Sequence, residues 1–179
     1  MKKTVIYFVY AAFLALSTSV AFLPTDHYVV SDGHSIDFKS KDPSGSFKEM
    51  SGDIDFDEKN LDASKFYLKI EVSSINTGNG MMNKKSQTEE WFNAKKYPEI
   101  KFKSTKVEKK GNDYLITGDL TIKGVTKSVS IPAAVTSSGN KLTFKGTFSV
   151  SRLDFKVGHK GDSVSDVLKI NYVVPADKK

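Results

Sequence analysis

The chain has 179 residues, of which 39% are hydrophobic and 27% charged, and its formal net charge is +6. It contains no cysteine, which excludes disulfide bonds, thiol nucleophiles, thiolate metal sites and an acylated lipoprotein cysteine. The lysines are scattered among acidic residues, as on a solvated surface. This argues against nucleic-acid binding and leaves open a transient contact with an anionic membrane surface.

The N-terminus has the three-part layout of a secretory signal peptide. Two lysines follow the initial methionine, Val5–Leu16 is an apolar run of 12 residues, and Ser19-Val20-Ala21 is a small-x-small cleavage site. The run is shorter than the roughly 20 residues that a membrane-spanning helix needs. We therefore expect a signal peptide over 1–21, one mature domain over 22–179 and a periplasmic or secreted location. An uncleaved membrane anchor is the alternative.

A succession of strands is predicted from residue 28 onward. Apolar and polar residues alternate with a period of two, which is typical of strands with one buried face, and turn sequences such as Ser31-Asp32-Gly33 separate the segments. The predicted strands cover 28–30, 35–40, 46–57, 66–74, 100–108, 114–123, 129–135, 141–151 and 167–174. We expect an all-β fold, an antiparallel sandwich or barrel of about eight strands.

One segment breaks the strand pattern. Residues 81–94 read MMNKKSQTEEWFNA, with good helix formers and no Gly or Pro, and Ser86-x-x-Glu89 is a candidate capping box. We predict one short helix near residues 82–93. Tyr97-Pro98 ends it, because the residue before a proline avoids the α conformation.

The same segment has two features that bear on function. Trp91 and Phe92 are adjacent and cannot share one helical face, so we expect one in the core and the other near the rim. The Met81-Met82 pair is flexible and adapts to irregular apolar shapes, which makes 81–92 a candidate lid. Ordinary core packing explains the two methionines equally well.

The predicted sheet has no helix to cover its apolar face. Its strands must therefore form a sandwich or close into a barrel, which also removes exposed edges. A barrel of about eight strands has an interior just wide enough for side chains or for one small ligand. Some positions that alternation places on the inward face carry small residues, such as Ser104, Gly118 and Gly146. These are compatible with a filled core and with an open tube.

The sequence offers few candidates for catalysis. His27, His34 and His159 lie far apart without metal-ligand spacing, and a strand-end hydrogen bond accounts for His34. No nucleophile elbow, phosphate loop or metalloprotease motif occurs. We expect a binding protein and not an enzyme, without a metal or a cofactor other than a bound lipid.

Two acidic groups have structural explanations. The first group is Asp53, Asp55 and Asp57, which lacks the glycine and terminal glutamate of a calcium loop. We therefore expect these three side chains to lie on a solvated outer face. The other lies in a loop-rich region, where we expect salt bridges to Arg152 from Asp154, Asp162 and Asp166.

Several sequence blocks, spread over nearly the whole of 22–179, resemble the YceI-like family of exported lipid-binding proteins. The most recognisable are Glu90–Phe102, reading EWFNAKKYPEIKF, and Gly118–Lys127, reading GDLTIKGVTK. The other matching blocks are His34–Phe38, Gly45–Phe47, Ser51–Phe56, Val72–Asn79 and Ser151–Phe155.

The resemblance implies a lipocalin-like antiparallel barrel with a long apolar cavity. It also implies that this cavity holds a polyisoprenoid, such as an isoprenoid quinone, or another long lipid tail, and that the protein is periplasmic or secreted. Many members carry an Arg-Asp-x-His-Leu-like run where this chain has Met82–Ser86. If these positions touch a headgroup or gate the cavity, the headgroup preference differs.

Apolar residues with inward parity are the candidate ligand-binding residues. Burial of apolar surface is worth about 25 cal/mol per Å², so an extended tail needs little polar recognition. The candidates in the barrel interior and at its rim are Phe38, Phe47, Phe66, Leu68, Ile70, Met82, Trp91, Phe92, Phe102, Leu120, Ile122, Phe144, Phe148, Ile170 and Tyr172. Val129 and Ile131 are expected to face the same interior.

Two other functions compete with the lipid carrier. A filled barrel could serve as an interaction or scaffold module of an envelope complex, with an exposed apolar patch and no cavity. An enzyme acting on a lipid would need a polar residue inside the tube with a displaced pKa, and no strong candidate stands out. We expect a monomer or a homodimer.

Overall fold

The computed structural model of the protein describes residues 25–179, so the predicted signal peptide lies outside the described residues. The described chain is almost entirely β-structure. Its strands are β1 (Asp26–Val30), β2 (Ser35–Lys39), β3 (Gly45–Phe47), β4 (Met50–Phe56), β5 (Lys65–Glu71), β6 (Ile75–Asn76), β7 (Glu99–Lys110), β8 (Asp113–Ile122), β9 (Val125–Ser138), β10 (Lys141–Ser151) and β11 (Val167–Lys178). Its one α-helix is α1 (Gly80–Ser86), and single 3-10 turns occur at Leu61–Ala63, Val72–Ser74 and Leu153–Phe155.

The strands close into an antiparallel barrel of eight wall positions. The order around the barrel is β1-β4-β5-β7-β8-β9-β10-β11, and β11 pairs back onto β1 through Val30↔Ala176 and Tyr28↔Lys178. Closure satisfies the backbone donors and acceptors that an open edge would leave unpaired. The prediction of an all-β antiparallel barrel of about eight strands is confirmed.

Three of the eight wall strands are interrupted. Each interrupted position consists of two strands: β1 and β2, β4 and β3, and β5 and β6. Both β1 and β2 pair with β11. On their other side β1 pairs with β4 and β4 with β5, while β2 pairs with β3 and β3 with β6. The single predicted strand 46–57 is therefore two strands. At the first break Gly33 has φ of 91°, a conformation that favours glycine. The ring of His34 lies 3.3 Å from Ser31 O and 3.1 Å from Lys48 O, which confirms its strand-end role.

Alternation of side chains determines which face of each strand is inside. In β8, Tyr114, Ile116, Leu120 and Ile122 are all buried, whereas Asp119 is exposed. In β7 a bulge between Ser104 and Lys106 shifts the alternation by one residue, so that Val107 faces inward as Phe102 does. The prediction for Leu120 and Ile122 holds, and Val129 and Ile131 are half-buried against the core.

The inward-facing glycines serve close packing. A Cβ at Gly146 would lie 2.2 Å from Pro132 O and 2.9 Å from the Tyr172 hydroxyl. A Cβ at Gly118 would lie 2.5 Å from the carbonyl oxygen of Lys103. Both contacts are too short for any side chain, so these glycines admit neighbouring groups instead of widening a tube.

The two ends of the barrel differ. At the end where β8 begins, which we call the far end, Phe56 packs edge-on against Tyr114 and Phe144 with ring centroids 5.2 and 5.3 Å apart. At the end where β8 finishes, which we call the mouth, the cover consists of loops. The mouth loops are residues 40–44, 77–98, 123–124 and 152–166.

The predicted helix near residues 82–93 is displaced and shortened. Asn79 caps α1, because its side-chain oxygen accepts hydrogen bonds from Met81 N at 2.9 Å and Met82 N at 3.2 Å. The capping box at Ser86 and Glu89 is wrong, since Ser86 is the last helical residue and its hydroxyl donates to Met82 O at 2.8 Å. Residues 87–97 form hydrogen-bonded turns.

The turns after α1 place the two adjacent aromatic residues as expected. Trp91 is buried and Phe92 is partly buried, so one lies in the core and the other nearer the rim. Between residues 25 and 179, no helix is both long enough and apolar enough to cross a membrane.

Candidate functional site

Two cavities follow one another inside the barrel. The outer cavity, beneath the mouth loops, has a volume of about 140 Å³, and the inner cavity has a volume of about 90 Å³. Four strands line both levels, each with a pair of residues two apart in which the first named lies at the outer level and the second at the inner level. The pairs are Phe38 and Ile36 from β2, Ile122 and Leu120 from β8, Val150 and Phe148 from β10, and Leu168 and Ile170 from β11. Because residues two apart on a strand face the same way, the cavities are successive levels of one tube.

The structure brings fourteen of the fifteen predicted ligand-binding residues to this tube. The inner level is lined by Phe66, Leu68, Ile70, Phe102, Leu120, Phe144, Phe148, Ile170 and Tyr172. The outer level is lined by Phe38, Met82, Trp91, Phe92 and Ile122. Phe47 lies behind the outer level and packs against Phe38 and Phe92, each with ring centroids 5.9 Å apart.

Sequence reasoning omitted other lining residues. Five of them lie at strand positions that alternation predicts to face inward, so the same pattern could have identified them: Ile36, Ile54, Ile100, Ile116 and Val174. Val157 and Val164 also line the outer cavity. They lie in a loop without periodicity, and no sequence signal marks them.

Two of the polar side chains that are buried on the inward face of the wall strands, Tyr172 and Ser104, have hydrogen-bond partners. The hydroxyl of Tyr172 donates to Pro132 O at 2.6 Å, and that of Ser104 accepts from Phe66 N at 2.9 Å. Burial raises the pKa of Tyr172 far above its ordinary value, so the phenol stays neutral. The inner level can therefore accommodate apolar chains, and its phenol is not available as a base.

Arg152 organises one side of the mouth. Its side chain is only 2% exposed and donates to the backbone oxygens of Val157, His159, Val164 and Ser165. It also forms ion pairs with Asp166 at 2.9 Å and Asp162 at 3.6 Å, as predicted. The predicted ion pair with Asp154 is wrong, since that exposed side chain lies within no ion-pair distance of Arg152. Arg152 thus folds loop 152–166 over the barrel.

Lys123 fastens this loop to its neighbour. Its ammonium donates to Glu90 O at 2.9 Å and to Lys156 O at 2.7 Å, and Gly158 N donates to Glu90 O at 3.0 Å. Burial lowers the pKa of Lys123, while the nearby carboxylates of Glu89 and Glu90 oppose that shift. Segments 88–97, 123–124 and 152–166 therefore form one connected cover.

The side of the mouth next to α1 is less firmly attached. No residue of α1 is buried, and β6, which precedes it, pairs with β3 alone among the described strands. The outer cavity meets this side through Pro43, Met82, Lys85, Ser86 and Ser163. This is the place where the tube approaches the surface.

The acidic strand β4 is a solvated face. Asp53 is exposed, Asp55 is partly exposed, and both pair with His27, at 3.5 and 2.8 Å respectively. Ile54 and Phe56 between them are buried. Over residues 25–179 no group of three or more His, Cys, Asp or Glu side chains is arranged to hold a metal ion.

The YceI-like domain family matches residues 21–176. A UPF0312 protein of Vibrio parahaemolyticus is 38% identical over 126 residues, which cover 66% of this chain and 67% of that protein. Protein YceI of Escherichia coli O17:K52:H18 is 41% identical over 96 residues, 54% of this chain and 50% of that protein. A UPF0312 protein of Photorhabdus laumondii matches over a similar extent, so the chain aligns with about half the length of these two relatives.

Solved structures share the fold. Burkholderia cenocepacia BcnA superposes with a TM-score of 0.75 at 30% identity, covering 79% of this chain and 95% of that one. The Campylobacter jejuni YCEI protein gives 0.69 at 27% identity, covering 100% and 99%. A polyisoprenoid binding domain from Saccharophagus degradans gives 0.68 at 15% identity, covering 87% and 99%, a likeness of fold alone.

Proposed function

This chain belongs to the YceI-like family, and we propose that it is an exported binding protein that holds a long apolar lipid inside the barrel for storage or transport. The ligand class we propose is an isoprenoid quinone, another polyisoprenoid or a similar long tail. The observation that carries the proposal is the tube itself, whose inner level is lined by aliphatic and aromatic side chains and by one phenol that is already hydrogen-bonded.

The physical basis is transfer of the tail out of water. Each CH₂ group buried in such a lining is worth about 0.8 kcal/mol, and no polar contact is required along the tail. The cavity volumes of about 140 and 90 Å³ are below the roughly 300–1,000 Å³ typical of ligand pockets. A long tail therefore requires lining side chains to rotate. Met50 and Met82, which have three rotatable bonds each, are the most adaptable of them.

The comparisons support the proposal by analogy. The Saccharophagus degradans domain is named for polyisoprenoid binding and shares this fold. We propose a periplasmic or secreted location because of the signal-peptide pattern over 1–21. We propose a binding role without catalysis because the buried hydroxyls of Ser104 and Tyr172 on the inward face are already hydrogen-bonded.

Native mass spectrometry of the protein tests the proposal directly. The full chain is expressed, the protein is purified from the periplasmic fraction, and any added mass is extracted with solvent and identified. We expect a polyprenyl or acyl compound of discrete mass. A bare polypeptide mass, unchanged after incubation with quinones and fatty acids, would contradict lipid binding. That result would favour a filled barrel that acts as an interaction module of the envelope.

A charge placed inside the tube provides the matched mutational test. Leu120→Arg puts a cation on the buried face of β8, and we expect loss of the bound lipid or misfolding, because burying an unpaired charge is costly. Ser128→Arg is the control, since Ser128 is exposed on β9 and pairs with Asp119 across the strands. A Leu120→Arg protein that folds and retains the wild-type lipid content would contradict the inner position of the ligand.

A further inference from the structure

The mouth end of the barrel carries most of the exposed large apolar side chains. Met81 is 80% exposed and Met82 36%, both on α1, and Val167 is 58% exposed at the start of β11. The other two such residues, Tyr67 and Val173, lie on the barrel wall. Within the described residues, exposed apolar surface is therefore concentrated where the outer cavity approaches the surface.

The charged side chains of the connecting loops are also distributed unevenly between the mouth and the far end. The mouth loops contain nine basic and six acidic side chains, a net charge of +3. The far-end connections 57–64, 111–112 and 139–140 contain one basic and three acidic side chains, a net charge of −2. The connecting loops thus carry a net positive charge at the mouth and a net negative charge at the far end.

Four of the six acidic side chains of the mouth lie close to Arg152 or Lys123. Asp162 and Asp166 pair with Arg152, and Glu89 and Glu90 lie beside Lys123. Asp42 and Asp154 are the remaining exposed acids of the mouth loops. Across residues 25–179 none of the following exposed lysines forms an ion pair: Lys41, Lys84, Lys85, Lys95, Lys96, Lys156 and Lys160.

We infer that α1 is a docking element for the surface of an anionic phospholipid bilayer, through a docking face that consists of Met81, Met82, Lys84 and Lys85. Two exposed methionines can enter the headgroup region while the lysines meet lipid phosphates, the combination of apolar and basic groups that favours an interfacial helix. Met82 and Lys85 also line the outer cavity, so the contact places the bilayer directly against the tube.

Docking through α1 is a property of the protein surface and is separate from the binding of a ligand inside the tube. An apolar tail that moves between bilayer and barrel at this face avoids crossing water. The helix α1 is attached through Asn79 at its N-cap, through Asn83 Oδ1 accepting from Thr77 at 2.8 Å, and through Ser86 O accepting from Phe92 N at 3.0 Å. None of these partners lies in a strand of the barrel wall, so the helix can adjust at the membrane without disturbing the wall.

Vesicle flotation tests the docking face with a matched control. The protein, purified from the periplasm after expression of the full chain, is mixed with vesicles of phosphatidylcholine alone or with an equal part of phosphatidylglycerol. We expect binding only to the anionic vesicles, weakened by salt. The double variant Lys84→Glu and Lys85→Glu is expected to bind at least tenfold more weakly, since each lysine near an anionic surface contributes about a five-fold affinity factor.

The control places the same charge change at the far end. Lys109→Glu with Lys110→Glu alters two exposed lysines at the β7–β8 turn. We expect the vesicle affinity of this double variant to lie within about two-fold of the wild-type affinity, because neither lysine meets the bilayer. Three outcomes would each overturn the inference. They are an equal loss of vesicle binding in both double variants, equal binding to neutral and anionic vesicles, and no binding of the wild type to anionic vesicles. Lipid content by mass spectrometry is measured in parallel, so that failure of docking and failure of ligand binding are distinguished.

The absence of cysteine from the chain allows a site-specific second measurement. Met81→Cys and, as control, Lys110→Cys are labelled with an environment-sensitive fluorophore. We expect a blue shift on addition of anionic vesicles for the label at position 81 and none at position 110. A shift of equal size at both positions would also overturn docking through α1.

Discussion

The far end and the mouth of this barrel are built by different physical means. At the far end, four aromatic side chains interlock, with Phe144 only 2% exposed and its ring centroid 5.2 Å from that of Phe66. At the mouth, loops are held by polar groups, above all by Arg152 and Lys123 donating to backbone oxygens. The far end therefore resists opening through packing, whereas the mouth can open locally by exchanging protein hydrogen bonds for bonds to water.

The largest expected effect lies at the far end. Phe144→Ala removes a ring that packs against Phe56 and Phe66, and we expect a loss of about 3–5 kcal/mol in the free energy of unfolding. Denaturant unfolding measures it. Phe92→Ala, which truncates a half-buried ring at the mouth, is the control and should cost clearly less. Equal costs would mean that the two ends do not differ in packing.

A smaller and more local effect is expected at the mouth. Arg152→Met leaves the carbonyls of loop 152–166 without their donor, and we expect a cost of about 2–3 kcal/mol. Hydrogen exchange should show increased opening of that loop, with the far-end strands unchanged. Arg152→Lys keeps the charge but has too few donors, so it should open the loop as well. Uniformly faster exchange throughout the barrel would contradict local opening.

The smallest expected effect concerns the phenol of Tyr172 at the inner level of the tube. Burial raises the pKa of Tyr172, so the unfolded chain ionises first as pH rises past about 10. The contribution of the neutral phenol to the free energy of unfolding is therefore fully present below that pH. Above it, the free energy of unfolding falls by at most about 1.4 kcal/mol per pH unit. The unfolding free energies of wild type and Tyr172→Phe, compared from pH 8 to 11, should converge with pH. A constant difference would show that Tyr172 ionises as easily in the barrel as in the unfolded chain.

Prediction from sequence succeeded where a local pattern is repeated along a strand. In β8 and β10 strict alternation identifies the buried face, because each side chain position follows from the pleat of its own strand. It failed at α1, where Ser86 and Glu89 have the spacing of a capping box but Asn79 provides the cap. Helix ends depend on which side chains are free to cap, and that depends on the strand that precedes them.

The sequence by itself determined the all-β class, the inward faces and the apolar character of the interior, since these follow from the period of two. Only the tertiary structure decided the rest. It placed Gly146 against Tyr172, joined Lys123 to Glu90 and Lys156, and brought loop residues such as Val157 into the tube. These contacts join residues that are distant in the chain. They arise from barrel closure, and no local pattern encodes them.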